Sequence, residues 1–200
     1  MSATKTIANT RKLTVTAMLS AVAFLLMFIE FSIPMLIPSF IKMDLSDLPA
    51  LIGAFSLGPV YGVVIELLKN ILHIALKGTS SAGIGELCNF TLGAVFALVA
   101  GLVYRRWHTR KGAMGASLAG AAAMALVSIP MNFFVVYPFY ASLFGGMENI
   151  IGAYQAILPS VNSLMQCLVI FNCPFTLVKG LLDVVVCFLI YKPLSKVIHG

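Results

Sequence analysis

Residues 42–73 read "KMDLSDLPALIGAFSLGPVYGVVIELLKNILH". Asp47 has the character of a helix N-cap, with Pro49 just inside the helix it opens. "LGP" at 57–59 signals a tight turn, and Pro59 begins a further helix that reaches about Leu76. The two helices, about 48–57 and 59–76, are apolar yet near or below the ~17 residues that a straight membrane span needs. Short or broken helices at membrane depth are tolerated where they line protein or a water-filled cavity. This stretch therefore predicts a membrane protein with a binding site near its broken segment.

The rest of the chain agrees. Of 200 residues, 60% are hydrophobic and 10% charged, with a mean hydropathy of +1.00, against about 25% charged in a soluble domain. Two hundred residues leave room for about five to seven spans of ~20 residues and for no soluble catalytic domain. The other apolar runs cover about 12–34, 85–104, 112–144 and 164–191. Leu13 to Ile29 is 17 residues, longer than the ~7–15 of a signal-peptide core, so it reads as a retained first helix. The expected fold is all-α, a single membrane domain over 1–200 with six transmembrane helices.

Charge sets the orientation. Nine of the thirteen Lys and Arg fall in three clusters: Lys5, Arg11 and Lys12; Arg105, Arg106, Arg110 and Lys111; Lys192 and Lys196. Six spans put all three on one face, which the positive-inside rule makes the cytoplasmic one, with both termini. The formal net charge of +6 is thus topology and not a nucleic-acid footprint. The four cysteines lie in apolar runs without a CxxC pair, and they read as small buried hydrophobes. The halves show no clear repeat of the inverted-transporter kind.

Ionisable residues within spans are functional candidates by default. Here they are Glu30, Glu66, Lys69, His73, Glu86, Lys179 and Asp183. Glu66, Lys69 and His73 share one helical face, either as an ion pair that joins helices or as a polar cavity wall. Asp183 lies four residues beyond Lys179, where it could neutralise that lysine or a neighbouring helix. Asn89, Asn132 and Asn172 each bring two donors and an acceptor oxygen, suited to the edge of a planar heterocycle whose faces meet aromatics such as Tyr137. No HExxH, GxSxG or phosphate-binding loop is present, and no metal or catalytic residue is expected.

The 42–73 stretch, with "GTSSAGIGELCNF" (78–90) and "FNCPFTLVKGLLD" (171–183), resembles the substrate-binding S components of energy-coupling-factor (ECF) transporters, and among them the riboflavin-binding members. The resemblance implies high-affinity uptake of riboflavin across the plasma membrane of a prokaryote, by a subunit that is not an enzyme and for which riboflavin is cargo, not cofactor. It implies a pocket formed by the first and third loops and helices four to six. It implies docking on a T subunit through the small-residue face of helix one, Ala17 and Ala21, and a cycle driven by two ATPases in which the S component topples in the membrane. Carried over by residue, Lys179 and Asn132 would bond polar groups of the ligand, and Asp44, Leu45 and Asp47 belong to the loop that closes the pocket. Asn89, Asn172 and Tyr137 complete the expected substrate-binding set. Thr176 stands where the resemblance expects Asn, with Asn172 one turn earlier. The alternatives are an S component for another vitamin or a nucleobase-like precursor, a solitary transporter, and a small intramembrane enzyme using Glu66, Lys69 and His73.

Overall fold

The computed structural model describes residues 2–79 and 81–199, with side chains for 9–79 and 81–190. The side chains of Lys5, Lys192 and Lys196 lie outside the described residues. The described chain is helical, without a strand; a lone bridge pairs Phe31 with Met43 across the first loop.

The described residues form seven helices: α1 (Ser2–Met27), α2 (Leu48–Ser56), α3 (Pro59–Lys77), α4 (Ile84–Arg106), α5 (Arg110–Leu143), α6 (Met147–Gln155) and α7 (Leu164–Ile190), the last continuing to His199. All but α2 and α6 are long and apolar enough to cross a membrane. The nine residues of α2 extend only about 14 Å at 1.5 Å each, less than half a hydrocarbon core of about 30 Å. The structure thus supplies five helices of spanning length where the sequence suggests six spans. The first helix stops at Met27, well before the prolines at 34 and 38. The following loop folds back through a turn at Ile33–Ile37. The fifth loop, between the apolar runs that end at about 144 and begin at about 164, carries α6.

The outer faces are apolar: Leu13, Leu25, Leu102, Leu126 and Leu189 are all exposed. The interior holds Glu66, Lys69, Asp47 and Asp183. A soluble domain buries the opposite sets, so this arrangement fits a protein solvated by lipid, crossing the cell membrane several times.

Small residues bring the helices together. A Cβ on Gly62 of α3 would stand 2.9 Å from the Ala50 carbonyl of α2 and from the Ala97 Cβ of α4. One on Gly120 of α5 would meet the Phe96 carbonyl of α4 at 2.7 Å. The run of alanine and glycine on α5 therefore packs within the protein, in the manner small residues allow in lipid. On α1 the small residues divide. Thr16, Ser20 and Ala23 face inward, while Ala17 and Ala21 are exposed.

Two helices contain a π turn, Asn132–Val136 in α5 and Leu168–Asn172 in α7. In each, a backbone N–H reaches a carbonyl five residues back, Tyr137 to Asn132 and Cys173 to Leu168. Such turns re-aim side chains and concentrate at functional sites. Here they set Asn132 and Asn172.

Candidate functional site

The loop from α1 to α2 lies under control of two lysines from distant helices. Asp44 accepts the backbone N–H of Ser46 at 2.8 Å, an Asx turn that shapes the loop. Asp47 stands at the N-cap position of α2, but its side chain does not cap the helix. Its Oδ1 pairs with Nζ of Lys69 on α3, and its Oδ2 lies 3.0 Å from Nζ of Lys179 on α7. Lys69 also donates to Ser46 Oγ at 2.8 Å and lies 2.7 Å from Glu66 Oε2. Lys179 donates to Asp44 Oδ2 at 3.4 Å. Burial works to raise the Asp47 carboxyl, but the ammonium groups of Lys179 and Lys69 outweigh it and hold that group below the ordinary carboxylate range.

Beneath the loop is a cavity of about 580 Å³, within the range of small-molecule sites. Asp44, Asp47, Asn89, Asn132, Tyr137, Asn172 and Lys179 all line it, so the structure gathers these expected residues from four separate segments. Leu45 is half-buried in the same loop but does not reach the cavity wall. Thr176 does, one turn from Asn172. Phe40, Tyr140, Phe175 and Met124 supply apolar surface.

The polar wall has its own internal bonds. Asn132 Nδ2 donates to the Ser128 carbonyl at 2.7 Å, leaving its oxygen and second N–H uncommitted. Asn89 Oδ1 accepts from Asn70 at 3.3 Å. Glu86 accepts from Thr79 at 2.9 Å and lies 3.2 Å from His73 Nδ1, which ties the α3–α4 loop to the cavity rim. At the mouth, Glu30 Oε1 accepts from Lys42 (2.6 Å) and Lys77 (2.9 Å). Burial works to raise the Glu30 carboxyl, and the two lysines outweigh it to hold it low. This clasp joins the first loop to the end of α3. The sequence singles out Glu30 but not the clasp, because Lys42 and Lys77 lie 12 and 47 residues from it and each looks like an ordinary terminal charge.

The structure chooses between readings that the sequence leaves open. Lys179 turns to the loop carboxylates and not to Asp183, and neither carboxyl oxygen of the fully buried Asp183 has a hydrogen-bond partner among the described residues. Glu66 and Lys69 do not form a cavity wall. They lie outside it and hold the loop, with Glu66 packed where a Cβ on Gly93 of α4 would come within 2.3 Å. Of these three residues only His73 lines the cavity.

The cavity takes walls from the start of α4, the middle of α7 and the far part of α5. The basic residues Arg105, Arg106, Arg110 and Lys111 sit at the opposite ends of α4 and α5. The cavity and the basic loop thus occupy opposite ends of the bundle.

This is the arrangement of a small-molecule receptor built into a membrane, closed by a loop on one side. The family model for the ECF transporter, substrate-specific component, matches residues 11–191. The riboflavin transporter FmnP of Bacillus subtilis (strain 168) is 32% identical over 187 residues, 92% of this chain and 92% of that protein. The riboflavin transporter RibU of Staphylococcus aureus (strain TCH60) is 32% identical over 188 residues, 94% and 92% of the two chains. A solved structure described as "Structure and mechanism of the S component of a bacterial ECF transporter" superposes with a TM-score of 0.73 at 30% identity, covering 96% of this chain and 99% of that one. The chain belongs to the substrate-specific S components of ECF transporters.

Asp183 generates a prediction. A buried carboxyl with neither oxygen hydrogen-bonded is desolvated without the bonds that usually offset that cost. Asp183→Asn is expected to leave the melting temperature of the purified protein unchanged or raised; a fall matching the ~3–5 kcal/mol of a broken buried ion pair would mean that the carboxylate has a partner.

Proposed function

We propose that this chain is the riboflavin-binding S component of its transporter, taking up the vitamin from outside the cell. The observation that carries the reading is the cavity itself. It has aromatic and aliphatic walls, and a few polar side chains (Asn89, Asn132, Asn172 and Lys179) converge on it, as a three-ring aromatic with a polar pyrimidine edge and a hydroxylated chain requires. Relatives named as riboflavin transporters, aligned over nine-tenths of the chain, support the same ligand.

On this reading the 200 residues are one membrane domain with six crossings, α2 serving as a short second one completed by its neighbours. Both termini and the basic α4–α5 loop are then cytoplasmic, and the cavity at the other end faces outside. Asp44, Asp47 and the loop around Leu45 close over the ligand, and Lys179, Asn132, Asn172, Asn89 and Tyr137 contact it. The exposed small residues Ala17 and Ala21 form the face that meets the T subunit, with two ATPases completing the transporter. The chain is a carrier and not an enzyme, a reading supported by Lys69, which is committed to Glu66, Asp47 and Ser46 and so is not poised as an acid or base.

Protein purified from cells is expected to be yellow with flavin absorbance bands; a colourless protein that takes up no added riboflavin would contradict the assignment. Lys179→Met is expected to weaken binding by roughly 1–3 kcal/mol, the range for a lost charged or buried hydrogen bond, and calorimetry showing full affinity in a folded variant would remove Lys179 from the site. Ala17→Trp is expected to leave riboflavin affinity intact while reducing recovery of the T subunit in a pull-down. Undiminished recovery would move the interface elsewhere.

A further inference from the structure

Asn172 does not stand alone in the cavity wall. Tyr154, on α6, donates its hydroxyl proton to Asn172 Oδ1 at 2.6 Å. Asn172 Nδ2 donates to Tyr137 Oη at 2.8 Å. The two tyrosine hydroxyls are themselves hydrogen-bonded. A tyrosine has one hydroxyl proton. Since that of Tyr154 goes to Asn172, the bond between the tyrosines is donated by Tyr137. The three groups therefore form a closed ring in which each donates once and accepts once. Turning the amide over reverses the circulation and keeps the ring closed. In either sense one hydrogen is left over, the second N–H of Asn172.

Burial makes this arrangement exacting. Tyr137 and Tyr154 are essentially inaccessible and Asn172 nearly so, and a polar group at such a place must be bonded or be destabilising. Asn172 and Tyr137 line the cavity, whereas Tyr154 does not. Phe40 of the first loop packs by its edge against both tyrosines, with ring centroids 6.4 and 6.3 Å away, so the ring lies directly under the closing loop.

We propose that Tyr154 is a positioning residue for substrate recognition: by closing a ring with Tyr137 it leaves Asn172 with a single uncommitted donor, so that this part of the cavity selects a ligand presenting an acceptor, a carbonyl oxygen of the flavin's pyrimidine edge. The proposal rests on the riboflavin reading and adds to it a specificity element supplied by the helix of the fifth loop. With the Tyr154 hydroxyl in place the amide oxygen is bonded within the ring in either orientation; without it, an orientation becomes available in which that oxygen has no donor in the ring and faces the ligand carbonyl, which repels it.

The test uses the full chain in detergent, loaded with riboflavin and compared with Tyr154→Phe. Losing one neutral hydrogen bond predicts roughly a three- to tenfold weaker affinity, together with an upward shift of a flavin carbonyl stretch in the Raman spectrum of the bound ligand. The same substitution made on Asn172→Ala is expected to change affinity no further, because its effect passes through the amide. Asn172→Asp, which keeps an acceptor for Tyr154 but removes the spare donor, is expected to weaken binding more than Tyr154→Phe, and it tests the donor should Tyr154→Phe not fold. An unshifted carbonyl stretch in Tyr154→Phe, an undiminished effect of that change in the Asn172→Ala background, or full affinity in Asn172→Asp would overturn the proposal. Failure of the unaltered protein to bind riboflavin would overturn the ligand reading and the proposal with it, and is recognised by the absence of any bound-flavin spectrum.

Discussion

One carboxylate organises the ligand side of this molecule. Asp47 is nearly inaccessible and is gripped by Lys69 from α3 and by Lys179 from α7. Removing one partner from a buried ion pair costs about 3–5 kcal/mol because the other charge is left without compensation. Each of the three residues therefore holds the others in place. The loop from α1 to α2 is fastened at a second point by Asp44 and at its mouth by Glu30, which joins Lys42 of the loop to Lys77 of α3. A loop that would otherwise be a mobile connection is thereby held over the cavity.

The two lysines divide the work. Lys69 lies outside the cavity and is fully buried among Glu66, Asp47 and Ser46; it anchors. Lys179 is slightly accessible and lines the cavity, so the same ammonium that fastens the loop is within reach of a ligand. A ligand that engages Lys179 necessarily works on the group that holds the loop. If Lys179 contacts the ligand as proposed, occupancy and loop closure share an atom.

Much of this was legible in the amino-acid order, and the exceptions have physical causes. The ends of α2 and α3 follow from Pro49 and from Leu57-Gly58-Pro59, because proline and glycine act locally. Lys179 could be singled out because a charge in an apolar run is expensive. Its partners could not. The nearby Asp183 suggested itself at four residues' distance, while the partner Asp44 lies 135 residues earlier, a proximity only the fold creates. Asp47 was placed correctly at a helix start, yet its carboxylate serves the lysines and not the helix end. The π turns at 132–136 and 168–172 have no compositional signature, so the asparagines could be picked out but not aimed. The helix Met147–Gln155 was hidden by the glycines and asparagines around it, and with it went Tyr154.

The first loop is held over the cavity from behind by Lys69, which does not line the cavity. Hydrogen–deuterium exchange on Lys69→Met, with and without riboflavin, tests it directly. Residues 39–47 are expected to lose protection while α4 and α5 keep theirs, and riboflavin is expected to dissociate faster although no cavity-lining residue has changed. A Lys69→Met protein with a protected loop and an unaltered dissociation rate would contradict it.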